Sequence, residues 1–169
     1  MTEETETLAG RMFGKWSEPG VPHAGWICEG VEDLGSYGAM TCEMCERQQI
    51  RYAHNMRHPQ YPTPLICGCV CAGRMEGNAV RAKERERDFI KQNRRLLSWM
   101  RRGWKTSARG NLYKTSEGYR VVLQERPGGW GGLIFRGERR VGCTAQLSPT
   151  ADDVKRRAFA RVSSLTGKR

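Results

Sequence analysis

Cys42-Glu43-Met44-Cys45 and, further on, Leu65-Ile66-Cys67-Gly68-Cys69-Val70-Cys71-Ala72-Gly73 hold five of the chain's seven cysteines. Cys42-x-x-Cys45 and Cys69-x-Cys71 are two close pairs, and four thiolates at such spacings can meet Zn2+ in a tetrahedron at about 2.3 Å. Binding energy at such a site holds a small fold together where apolar burial is too scarce to do so. Cys42, Cys45, Cys69 and Cys71 are therefore the expected metal ligands. Cys67 is a competing third thiol, C-x-C is tighter than the usual C-x-x-C, and His54 or His58 could complete a Cys3His site instead.

Between the pairs, Gln49-Ile50-Arg51-Tyr52-Ala53-His54 alternates as a strand does, with Ile50, Tyr52 and His54 on one face. The connection from Pro59 to Pro64 returns the chain to the second pair, which precedes a helical pattern. Knuckle, hairpin, then ligands at a helix start is the order of a treble-clef or zinc-ribbon-like finger. Cys28 and Cys143 are isolated and read as small buried residues.

Charge divides the chain. Net charge is −5 over residues 1–41, +1 over 42–73, +8 over 74–109 and +7 over 110–169, within a total of +11. An excess of this kind attracts polyanions, nucleic acid first, because each neutralised phosphate releases condensed counterions. The opening Met1-Thr2-Glu3-Glu4-Thr5-Glu6 is acidic, unlike a signal peptide, and no apolar run is long enough to span a bilayer. A cytoplasmic location is expected, where reduced cysteines favour metal over disulfides.

Residues 1–25, rich in Gly and Pro, read as a loosely ordered arm that Trp16 and Trp26 could anchor onto the finger. Residues 26–76 form the finger, 77–105 a basic connector helix, and 106–169 a β-meander with a helix. The connector has a narrow apolar seam of Ala79, Ala82, Phe89, Leu96 and Met100. In the last region, Leu112–Thr115, Tyr119–Gln124, Gly132–Arg136 and Arg140–Ala145 are strand candidates, and Ser148 or Thr150 can cap a helix that buries Val154, Ala158, Val162 and Leu165. The expected fold is α+β: a small zinc finger, a long basic helix, then a three- or four-stranded antiparallel sheet packed on one C-terminal helix.

The string Cys42-Glu-Met-Cys45, Ile50-Arg-Tyr-Ala-His54, His58-Pro59, Tyr61-Pro62 and Gly68-Cys-Val-Cys-Ala-Gly73, with the Arg/Glu-rich helix and Gly/Trp-rich β segment that follow, resembles a group of small phage and mobile-element proteins. The resemblance covers about residues 42–165. It implies a phage or mobile-element setting and finger thiols at Cys42, Cys45, Cys69 and Cys71, with Cys67 a local departure.

If Tyr119, Val121 and Leu123 face the C-terminal helix, Arg120, Val122 and Gln124 face outward. Arg81, Arg85, Arg94, Arg95, Arg101, Arg120, Arg136 and Arg140 are then the expected phosphate contacts, and Trp130 in Gly128-Gly-Trp-Gly-Gly132 a base-stacking residue. The alternative role for Trp130 is a cover over the sheet edge. No phosphate loop, nucleophile elbow or carboxylate cluster occurs, and a four-ligand zinc site has no open position. The sequence points to a non-enzymatic zinc protein that binds nucleic acid, DNA first. An inhibitor or adaptor that meets an acidic host or phage protein is the alternative, and an HNH-like metal-dependent nuclease using His54 the second alternative.

Overall fold

In the computed structural model, residues 13–36 and 40–167 are described, and they divide into two units, Met1–Ile90 and Lys91–Arg169. The calls on residues 1–12 and 37–39 lie outside the described residues.

The first unit has a three-stranded antiparallel sheet in the order β1-β4-β5, from Ile27–Asp33, Tyr52–Arg57 and Leu65–Cys67. A ribbon of β2 (Met40–Thr41) and β3 (Gln49–Ile50) carries the knuckle between its strands. Helix α1 (Cys69–Met75) follows β5 directly. The expected strand Gln49–His54 divides at Arg51 into β3 and β4, and the central strand β4 is buried on both faces, so that Ala53, His54 and Met56 are buried and Tyr52 half-buried without a clean alternation. Met44, Met56 and Met75 are wholly buried with Trp26, Cys42, Cys67 and Ala72. Unbranched Met fills the irregular space around a cluster of sulfurs.

The N-terminal arm is better ordered than its composition implies from Phe13 onward. Gly14–Ser17 make a 3-10 turn, Trp16 and Val21 are buried, and the Trp26 indole N–H donates to Pro22 O at 2.7 Å. Two indoles bury enough apolar area to offset the backbone entropy of a Gly/Pro-rich segment.

Helix α2 (Ala79–Arg101) crosses the boundary between the units. Asn78 starts it by accepting from Arg81 N at 2.9 Å through Oδ1. Ala82 is buried in its first half and Trp99 in its last turn.

The second unit is a five-stranded antiparallel sheet in the order β10-β9-β8-β7-β6. Its strands are β6 (Lys105–Thr106), β7 (Leu112–Ser116), β8 (Tyr119–Arg126), β9 (Gly129–Arg136) and β10 (Arg139–Cys143). The expected three or four strands become five because Lys105–Thr106, too short to carry any alternation, pair with Tyr113 and Leu112. Helix α3 (Ala151–Thr166) packs on β8 and β9. Thr150 caps it, accepting from Asp153 N at 3.2 Å, and Gly167 at φ +68° closes it. Tyr119, Val121, Leu123 and Ile134 meet Val154, Ala158, Phe159 and Val162 in the core, as the alternation implies. Lys114 is buried beneath Trp99 and Trp104, where Nζ donates to Arg102 O at 2.5 Å, a cation on the carbonyl end of α2.

Candidate functional site

Cys42 and Cys45 flank a tight turn in which Glu46 N donates to Cys42 O at 2.8 Å and Glu46 takes φ +54°. The Glu43 carboxylate fastens this knuckle to β5 by accepting from Ile66 N at 2.6 Å. Gly14 lies against its other side, where a Cβ would meet the Cys45 backbone at 2.9 Å. Strand β5 and helix α1 supply the opposing thiols.

Cys42, Cys45 and Cys71 converge, with all three sulfurs within 4.8 Å of one another, a group that could hold a metal ion. Cys67 is wholly buried and interacts with Cys42, although it is not part of that group of three. Cys69 is also outside that group. It lies instead within 4.8 Å of His54 and Glu86 ligand atoms, which corrects the expected ligand pair Cys69 and Cys71. The reason is helical geometry: Gly68 is the N-cap, so Cys69 and Cys71 are both in the first turn, and helix positions two apart point to different sides. Cys67, before the cap, and Cys71, a turn later, can face the knuckle together.

The surroundings fit a thiolate-bound cation. Cys42 Sγ accepts from Gly68 N at 3.4 Å and from the Cys45 backbone amide. Hydrogen bonds from Cys67 and Cys71 hold its thiol far below the usual range, while the same bonds and burial hold Cys67 and Cys71 far above it. A divalent cation binds such thiols as thiolates and releases their protons. Trp16 Nε1 is buried without a hydrogen-bond partner, and this indole lies near Cys71, where it favours the thiolate form.

Neither histidine enters this cluster. His58 packs against Trp26 at a centroid distance of 5.3 Å, with Tyr61 5.3 Å from the same indole, and accepts from Gln60 N through Nδ1 at 3.1 Å, a structural role. His54, wholly buried on β4, has Nε2 3.0 Å from Glu86 Oε2 on α2. Sequence reading missed Glu86, one acidic residue among the alternating charges of α2; only its position across from the second thiol pair could have marked it. Cys28 is half-buried 3.9 Å from His54 Nδ1, and Cys143 is exposed on β10, contrary to its expected burial.

Of the expected phosphate contacts, Arg81, Arg94, Arg101, Arg120, Arg136 and Arg140 are exposed. Arg85 is not available: it grips Glu76 at 3.0 and 2.8 Å, and its Nε is buried. Arg95 is half-buried, 3.5 Å from Glu117 and over the Phe159 ring. Trp130 is half-buried against the second core, and its backbone exchanges bonds with Ser148 at 2.7 and 2.9 Å.

The sheet's other face is the open one. Strand register lines up Thr115, Arg120, Phe135 and Arg140 across β7 to β10. The neighbouring row contains Lys105, Tyr113, Val122, Leu133 and Cys143. Arg120 lies 5.3 Å over the half-buried Phe135 ring. Phe135 was missed as a candidate because period-2 reading marks it only as part of a strand.

Comparison with protein-family models, curated proteins and solved structures finds no significant match. Among the described residues, no helix is long and apolar enough to cross a membrane.

Proposed function

We propose that this protein is a zinc-stabilised, non-enzymatic nucleic-acid-binding protein of a phage or mobile element, and that DNA lies on the open face of its five-stranded sheet. The observation that carries this reading is the cross-strand row in which Phe135 stands between Arg120 and Arg140. An aromatic ring offers any base a stacking surface, and flanking guanidiniums bind the phosphates on either side. Helix α3 occupies only the opposite face, so the row is not needed to close the core. Arg94 and Arg101 on α2 add to the positive field of this unit.

Zn2+ is the metal proposed for Cys42, Cys45, Cys67 and Cys71, because four soft thiolates favour it and leave no position for substrate. It supplies folding energy to the first unit.

Fluorescence anisotropy with labelled duplex DNA, single-stranded DNA and RNA at about 50 mM salt tests the reading. Wild-type protein binds DNA, and Phe135→Ala weakens binding about tenfold through lost stacking. Absence of binding to all three ligands overturns the proposal.

A further inference from the structure

We propose that His54, Cys69 and Glu86 form a second metal site, separate from the four-thiol cluster, that takes a divalent transition-metal ion such as Zn2+ and leaves a coordination position open to solvent.

Three different donors meet here from three elements: an imidazole from β4, a thiol from the first turn of α1 and a carboxylate from α2. A ring nitrogen of His54, Cys69 Sγ and a Glu86 oxygen all lie within 4.8 Å of one another, and Nε2 is the nitrogen 3.0 Å from Glu86 Oε2. The helix periodicity that removes Cys69 from the first cluster is what aims it at this second one. His54 is wholly buried, so its ring is fixed by packing before any ion arrives. Cys69 and Glu86 are half-buried and both line a cavity of about 190 Å³, with Arg51 and Tyr52 also on its wall and Cys42, Cys45 and Cys71 of the first cluster on it as well. The ion would therefore have protein on one side and solvent on the other.

The donor set selects the class of ion. Nitrogen and sulfur suit Zn2+ and its neighbours and are poor ligands for Mg2+ or Ca2+, which want oxygen. One thiolate and one carboxylate balance a divalent charge. Three protein ligands leave the fourth tetrahedral position to an oxygen donor from the cavity, water in the simplest case.

The far side of the imidazole also has what a ligand histidine requires. Metal at Nε2 places the proton on Nδ1, which then needs an acceptor. Cys28 Sγ lies 3.9 Å away, and because its own hydrogen goes to Gly30 O at 3.2 Å the sulfur is free to accept from Nδ1–H. Arg85, 3.4 Å from the same nitrogen, can give up that contact because Glu76 holds its guanidinium through two shorter bonds.

Native mass spectrometry of the full chain, after zinc loading and dialysis, reads the number of ions retained. About two per chain are expected for the wild type, and about one for Cys69→Ser and for Glu86→Gln. The conservative Glu86→Gln keeps the side-chain shape and guards against a folding defect at the cysteine. Co2+ titration gives the second readout: the thiolate-to-cobalt absorption of both variants saturates at about half the wild-type metal equivalents. One ion in the wild type, or two in both variants, overturns the proposal. So does a single ion that Cys69→Ser abolishes, which would return Cys69 to the four-thiol cluster.

Discussion

Cys67→Ser separates the two ways of completing the thiol cluster. In the fold, Cys67 is wholly buried at the end of β5 and interacts with Cys42, whereas Cys69 is half-buried beside His54 and Glu86. Structural zinc sites supply roughly 10–16 kcal/mol of binding free energy at neutral pH, so one of four ligands accounts for about 3 kcal/mol. A loss of that size weakens zinc affinity on the order of a hundredfold. The replacement hydroxyl also remains buried among sulfurs without a good acceptor, which costs about another 1–3 kcal/mol of folding stability. Competition with a chromophoric chelator measures the first effect, and thermal unfolding of the zinc-loaded protein the second. Cys69→Ser leaves the tighter zinc site intact in both assays. Retention of wild-type affinity by Cys67→Ser, with loss in Cys69→Ser, refutes the placement of Cys67.

Asp33 accepts from Arg51 Nε at 2.9 Å and Nη2 at 3.1 Å, which holds its carboxyl below the usual range. A lowered native pKa gives stability that is present above the unfolded value and lost as pH falls through the native one. The stability difference between wild type and Asp33→Asn in urea unfolding is thus expected to be larger at pH 7 than at about pH 3. Gly129 takes φ +135°, and a Cβ there would lie 2.6 Å from Ser148 O. Gly129→Ala is expected to break the bridge between Trp130 and Ser148 and destabilise the second unit by about 1–3 kcal/mol, read as a lowered unfolding temperature. Trp99 is buried against Trp104 and Phe159 and donates to Lys155 O at 3.0 Å, so Trp99→Ala should cost about 3–5 kcal/mol in the same measurement.

The elements legible in the sequence were those with a strong local period. Tyr119, Val121 and Leu123 on β8 and Val154, Ala158 and Val162 on α3 face one another as their spacing implies. The knuckle was legible in Cys42-x-x-Cys45, and a helix after the second thiol pair was expected. Which thiols meet the knuckle depends on where that helix begins: with Gly68 as its cap, Cys71 faces Cys42 and Cys45 while Cys69 turns toward His54 and Glu86. Strands β1 and β6 carry no usable alternation; Ile27 is exposed at the start of β1, and pairing with neighbours defines both. Arg85 illustrates a different limit. Its type matches its neighbours on α2, and only tertiary proximity to Glu76 and His54 takes it out of the basic surface.

A nitrogen-15 correlation spectrum recorded during titration with a DNA oligonucleotide tests the proposed interface most directly. The amides of Arg120, Phe135 and Arg140 and their strand neighbours are expected to shift together, with the effect diminishing as salt is raised. Shifts confined to the Ala79–Arg101 helix, or none at all at low salt, would contradict a sheet face built to receive DNA.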